Sequence, residues 1–282
     1  MFSPMDRADE FARRVTGARA AYSLPLQANR LAEEFNHAAL ALLFPHFAPS
    51  RGSTPDLVVA ELDRLDVRLG PFLESQGTGA DRGREIRESF LAGLPALEQE
   101  LMLDAVATCE ADPAARSVDE VILAYPGFFA LASYRIAHAL ACHGVALLPR
   151  LITEIAHRQT GIDIHPGARL GRSLAIDHGT GIVVGETAVI GDRVRLYQGV
   201  TLGALSVRKE LARQKRHPTI EDDVVIYANA TILGGDTVIG AASVIGGNVW
   251  LTHSVPPGSV VTHGATIERP RFAEEPLLEF NI

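Results

Sequence analysis

The sequence predicts an α+β protein: an all-α N-terminal half, then a parallel β-helix built from hexapeptide repeats, with a protruding loop and a C-terminal tail. Three observations predict it. Apolar residues follow a helical period up to about residue 160, and a six-residue period from Ile164 onward. Residues 161–262 are also rich in Ile, Val, Thr and Gly, and β-branched residues prefer extended backbone. A helix repeats near 3.6 residues and a strand near 2, so a spacing of six fits neither, whereas it is the signature of a β-solenoid.

The elements follow in order. Met1–Glu10 is polar and charged and lacks the apolar core of a secretory signal. Leu31, Phe35, Ala38, Ala39, Leu42 and Leu43 make one helical face, ended by Pro45. Pro55 and Asp56 open another helix, with Leu57, Val58, Leu62, Leu65 and Leu69 on its buried side. Turn-rich stretches at Ala48–Thr54 and Ser75–Arg84 read as linkers. A third helix runs from about Glu85 through Cys109, and two more follow Asp112-Pro113, at roughly Gly127–Cys142 and Val145–Thr160.

From Gly161 the inward series is Ile164, Leu170, Ile176, Ile182, then Ile190, Leu196, Leu202, then Ile220, Ile226, Ile232, then Ile239, Ile245, Leu251. It needs phase slips between 182 and 190 and between 232 and 239. Gly171, Gly191, Gly203, Gly240 and Gly246 each follow an inward aliphatic directly, and Gly234 follows Ile232 one position later, as a crowded corner requires. Three sides make a turn, so residues about 18 apart should stack. Ala204–Arg216 is polar and basic and must leave the wall, because a solenoid cannot bury that much charge. The expected domains are therefore 1–160, helical; 161–262, the β-helix with its excursion loop 204–216; and 263–282, the tail.

The chain has 282 residues, 47% of them hydrophobic, enough for substantial cores. With 26 basic against 34 acidic residues, nucleic acid and anionic membrane are poor partners. No apolar run reaches the roughly 20 residues that span a bilayer. Cys109 and Cys142 are the only cysteines, each in a helix-like apolar context, so two buried thiols in a reduced cytoplasm are expected.

His165, His178 and His217 lie in or beside the interrupted region, with Asp163 and Asp177 flanking two of them. Asp163 and His178 fall on neighbouring coils, near enough to hydrogen-bond, and a carboxylate that fixes a histidine tautomer makes a general base. Spacing alone equally allows surface histidines on a polar corner.

The run Asp163-Ile164-His165-Pro166, the stretch Asp177-His178-Gly179 through Gly185-Glu186-Thr187, the segment Gly199–Gly203 and Arg216-His217-Pro218 together resemble the serine O-acetyltransferases. Asp112-Pro113-Ala114 and Tyr125-Pro126-Gly127-Phe128 through Tyr134–His138 resemble the end of that family's helical domain. The likeness covers roughly residues 105–262. It implies that the β-helix is left-handed and that acetyl passes from acetyl-CoA to the hydroxyl of L-serine for cysteine biosynthesis. It further implies His178 as general base, Asp163 as the residue orienting it, Asp112 and Asp177 as acceptors of the serine ammonium, and Arg216 with His217 as the carboxylate clamp. An imidazole, with its ordinary pKa of about 6.5, suits the base role, and a planar guanidinium can meet both carboxylate oxygens. Neither cysteine lies near these motifs, so direct transfer is expected rather than an acyl-enzyme, and no metal is expected.

The same resemblance implies acetyl-CoA in the groove between two β-helices, at Gly203, Ala204, Ala228 and Gly246. It implies a homotrimer or a dimer of trimers, L-cysteine as feedback inhibitor, and a C-terminal Ile282 that docks into O-acetylserine sulfhydrylase by mimicking a carboxylate-bearing product. The sequence departs from the family in the loop from Leu205, at Tyr227 and Asn229 where glycines are usual, and at His263–Arg269. Three other readings compete. A hexapeptide enzyme acting on a sugar or other small hydroxyl would need the base but not Asp112 with Arg216 and His217. A trimeric zinc hydratase like γ-carbonic anhydrase would need a different histidine spacing. A catalytically idle scaffold for the sulfhydrylase is opposed by the intact His178 and Asp163.

Overall fold

In the computed structural model, residues 4–49, 54–205 and 214–262 are described. Among the described residues seven α-helices come first: α1 (Pro4–Ala20), α2 (Ala28–Leu43), α3 (Pro55–Ser75), α4 (Ala80–Ala111), α5 (Val118–Ala124), α6 (Pro126–Cys142) and α7 (Leu147–Thr160). Local chemistry sets their ends. Thr54 Oγ accepts the Leu57 N–H at 3.3 Å with Pro55 at the first helical position, the usual device for orphan donors. Ser117 and Glu120 form a reciprocal cap on α5, Ser117 Oγ taking the Glu120 N–H and Glu120 reaching back to the Arg116 N–H. Gly161, at φ 73°, closes α7 in the left-handed region.

Two helices were not visible in the pattern. Seven residues of α5 are too few to display a period, and α1 carries almost no apolar stripe. The expected linker at Ser75–Arg84 shrinks to residues 76–79, because α4 starts at Ala80. The cysteines also differ from expectation. Both are free, but Cys109 is half-buried and Cys142 exposed, since Cys142 closes α6 on its solvent side.

The strands form three parallel faces. The first stacks Asp163–Ile164, Val183–Val184, Thr201–Gly203, Thr231–Leu233 and Trp250–Leu251. The second stacks Arg169–Leu170, Val189–Ile190, Thr219–Ile220 and Val238–Ile239. The third stacks Ala175–Asp177, Arg195–Tyr197, Val225–Ile226, Val244–Ile245 and Val260–Val261. Of the thirteen inward aliphatics, twelve are buried and Leu170 packs partly buried against them. Aliphatic burial along the prism axis is therefore what holds it.

Coil length departs from 18 in an informative way. Along the first face Asp163 pairs with Val183, Val183 with Thr201, Thr201 with Thr231, and Thr231 with Trp250, offsets of 20, 18, 30 and 19 residues. Asp177 pairs with Tyr197, whereas Gly199 N–H bonds to Thr180 O just as Asn229 N–H bonds to Gln198 O. The two surplus residues of the first coil are thus His178 and Gly179. This corrects the series at one point: the inward position above Ile164 is Val184, not Ile182, which is buried at the corner.

The helical half joins the first coil through α6. Tyr134 donates to Ala168 O at 2.6 Å, Arg135 to Gly171 O at 2.6 Å, and His138 Nδ1 lies 2.8 Å from Pro166 O. Gly127 on α6 lets the helix ride directly on the third face: a Cβ there would stand 2.3 Å from Ile176 O. Gly127→Ala is therefore expected to cost about 1–3 kcal/mol, the usual penalty for overpacking, read as a lower urea midpoint at unchanged slope.

Candidate active site

The predicted residues sit at two corners of the prism. At the corner between the third and first faces, Asp177 ends its strand and His178 follows with φ 55°, then Gly179 with φ 76°. This two-residue bulge pushes His178 out of the wall, leaving its side chain 72% exposed. Its Nε2 lies 3.9 Å from Asp177 Oδ1. From the helical side, α4 ends here with Asp112 as its C-cap. One Asp112 oxygen accepts the Ala114 N–H at 2.8 Å, and the other accepts the Tyr125 hydroxyl at 2.6 Å. The Tyr125 hydroxyl, the Ala114 N–H and, more weakly, the charge of His178 hold the Asp112 carboxyl below its ordinary value. The same bond pushes Tyr125 up to about 12. The corner thus gathers two carboxylates and an imidazole. Above Asp177, Tyr197 stacks on Tyr227 with centroids 4.9 Å apart.

The second corner, between the first and second faces, holds Gly185, Glu186, Thr187 and the return of the excursion loop at Lys215, Arg216 and His217. Arg216 donates to Glu186 Oε2, and this bond is the main reason that the Glu186 carboxyl lies low. His217 is buried and pushed down to about 4, first by desolvation and then by Arg216, so it is neutral across the physiological range. Gly185 is required beneath it, since a Cβ would lie 2.1 Å from the His217 ring. His165 joins this corner, its pKa lowered mainly by burial.

Asp163 does not pair with His178 in this structure. Its nearest cation is Arg150, with Nη1 3.9 Å from Asp163 Oδ1. The cause is the bulge, which carries the imidazole away from the strand that Asp163 begins and toward Asp177. Glu154, His157 and Asp163 bring donor atoms within 4.8 Å of one another, but Arg150 bonds Glu154 as well as facing Asp163. A cation already fills that group.

The four positions expected to meet acetyl-CoA divide the same way. Gly203 and Ala204 lie where the excursion loop leaves, at the Arg216 corner, and Ala228 and Gly246 lie at the His178 corner. Residues 206–213 of the loop, the segment from His263 to Arg269 and Ile282 lie outside the described residues. The two corners are the opposite edges of one face, so a single chain does not bring His178 and Arg216 together. Sequence reasoning gave no role to Tyr125, Glu186 or Thr187, although all three stand in the quoted motifs. Their signal is a polar residue adjoining a charged one at a corner.

Among the described residues, no helix is long and apolar enough to cross a membrane. No protein-family model matches the chain. It is 53% identical over 183 residues to a plasmid serine acetyltransferase of Synechococcus elongatus, a match covering 63% of this chain and 57% of that relative, less than two thirds of its length. It is 46% identical over 162 residues to a serine acetyltransferase of Helicobacter pylori, covering 57% of this chain and 92% of the relative. The crystal structure of Entamoeba histolytica serine acetyltransferase 1 in complex with L-cysteine superposes with a TM-score of 0.75 at 35% identity, covering 81% of this chain and 86% of that one. The serine complex of the Neisseria gonorrhoeae enzyme gives 0.58 at 31% identity, covering 83% and 93%. The architecture of a helical region followed by a left-handed β-helix is common to them. With near-complete coverage of the Helicobacter relative and the three-faced prism in hand, the chain belongs to the serine acetyltransferase family.

Proposed function

We propose that this protein transfers the acetyl group of acetyl-CoA to the hydroxyl of L-serine, giving O-acetylserine and free CoA for cysteine biosynthesis. The observation that carries the reading is the pairing of Asp112 and Asp177 around an exposed imidazole. Two carboxylates beside an imidazole, one of them held below its ordinary value by Tyr125, suit an acceptor bearing an ammonium group, and a sugar offers none. His178 takes the serine Oγ proton as Oγ bonds to the thioester carbonyl carbon. The tetrahedral adduct then expels the CoA sulfur, which leaves with that proton.

In this reading Asp163 would orient the imidazole after giving up Arg150, which it faces in the single chain. Arg216 and His217 hold the serine carboxylate, Arg216 by charge and His217 as a neutral donor. Because they occupy the far edge of the first face, the complete site forms where the His178 corner of one protomer meets the Arg216 corner of the next. The first face then turns toward the axis of a trimer, alone or paired into a hexamer. Beyond Asp163 at its first coil, its outward residues Val183, Thr201, Thr231 and Trp250 are uncharged, and Trp250 is 66% exposed, which suits such a contact. Acetyl-CoA would lie along the same seam, past Gly203 and Ala204 of one protomer and Ala228 and Gly246 of the other.

L-cysteine differs from serine by SH for OH and would occupy the same carboxylate and ammonium sites. The tail, through Ile282, would bind O-acetylserine sulfhydrylase, and the protein would act in the cytoplasm. The 1–160 half serves to deliver Asp112 and to pair trimers, while 161–262 carries the chemistry.

The test is release of CoA by the full chain with acetyl-CoA and L-serine, homoserine or simple sugars in turn. Turnover with serine alone is expected, and turnover with a sugar alone would overturn the reading. Asp112→Asn is expected to raise the KM for serine about tenfold or more, the worth of one hydrogen bond to a charged group. The KM for acetyl-CoA should stay unchanged in the same steady-state assay.

A further inference from the structure

Thr187 has no part in the roles assigned above, yet four hydrogen bonds tie it to Arg216 and His217. Its Oγ accepts the Arg216 N–H at 2.9 Å and the His217 N–H at 3.1 Å. The Thr187 hydroxyl meets His217 Nδ1 at 2.9 Å, and the Thr187 N–H donates to the same Nδ1 at 3.0 Å. A ring nitrogen that accepts from two donors carries no proton, so the neutral imidazole keeps its proton on Nε2. The ring has no room to shift away, because Gly185 lies against its Cδ2 and Nε2 edge. Lys215 seals the arrangement from outside, donating to Thr187 O at 2.9 Å, His217 O at 2.6 Å and Pro218 O at 3.2 Å. The loop therefore re-enters the prism on one threonine, and that threonine decides which face of His217 can donate.

We propose that Thr187 is the positioning residue of the carboxylate half of the site, holding His217 as the Nε2–H donor and fixing the backbone from which Arg216 projects. The proposal rests on the reading that Arg216 and His217 bind the serine carboxylate. A hydroxyl is needed because Oγ must accept two N–H groups and donate one proton at once. Valine matches the shape and does none of these, and serine does all three.

The test combines long-range proton–nitrogen spectra of the histidine-labelled full chain with steady-state kinetics. Wild type is expected to show His217 protonated at Nε2 only. Thr187→Val should move the His217 Nδ1 resonance and raise the KM for serine about tenfold or more, as expected when charged hydrogen bonds are misplaced. The KM for acetyl-CoA and kcat should stay within about twofold, since acceptor binding and not chemistry is altered. Thr187→Ser should restore both readouts, and Thr187→Ala serves as the second probe should the valine variant not fold. A wild-type His217 protonated at Nδ1, or a folded Thr187→Val with an unchanged KM for serine, overturns the proposal. If wild type ignores serine, the acetyltransferase reading fails, and the tautomer spectra still decide whether Thr187 holds His217.

Discussion

His178→Asn is expected to lower kcat about 10²–10⁴-fold, the usual contribution of a positioned general base, while leaving the fold unchanged. Asparagine is the right replacement because His178 has φ 55°, a region that Asn tolerates better than Ala. The side chain is 72% exposed, so its removal creates no cavity, and the unfolding free energy from urea titration should change by less than about 0.5 kcal/mol, as for other surface positions. Both KM values should change little, because binding is assigned to the carboxylates and to the Arg216 corner. A variant that keeps its rate within a few-fold would remove His178 from the mechanism.

How much of this was legible in the sequence differs by element. The solenoid was, because each inward Ile or Leu is selected by burial alone, and burial repeats with the coil. The phase slips were legible only as irregularities. Their meaning needed the register, which shows that the extra residues of the first coil are His178 and Gly179. The irregularity in the pattern is thus the site itself, where local rule-breaking is expected. Asp112 came from family likeness rather than from any period, and its partner Tyr125 stayed without a role because a hydrogen bond across 13 residues leaves no spacing signature. The separation of His178 from Arg216 onto opposite edges of one face was likewise hidden. It depends on which corner each residue reaches, and six-residue counting does not distinguish the three corners. Thr187 reads in the sequence as an ordinary β-branched wall residue, and only the returning loop, 29 residues later, gives its hydroxyl a purpose.

Asp104 and Arg135 carry the largest expected loss of stability. Asp104 is fully buried and Arg135 is 5% exposed. They form two bonds, Nε to Oδ2 at 2.6 Å and Nη2 to Oδ1 at 2.9 Å. Asp104 also accepts the Leu174 N–H at 2.9 Å, and Arg135 donates to Gly171 O. The pair therefore links α4, α6 and the first coil of the β-helix at one point. Asp104→Ala leaves a buried guanidinium without its main counter-charge, and the expected cost is about 3–5 kcal/mol. Arg135→Met should cost a similar amount by stranding the carboxylate. The double variant Asp104→Leu with Arg135→Met removes both charges and should recover much of the stability, because a well-packed apolar pair often replaces a buried ion pair without loss. Activity should not recover in parallel. Asp112 lies two turns beyond Asp104 at the end of α4, and the geometry of the lost pair is what aims that end at Asp177. The double variant is therefore expected to unfold near the wild-type urea midpoint yet bind serine more weakly, seen as a raised KM. If either single variant costs less than about 1 kcal/mol, the pair is not the joint between the two halves. If the double variant restores KM along with stability, the pair sets stability alone, and the aim of Asp112 comes from its bonds to Tyr125 and Ala114.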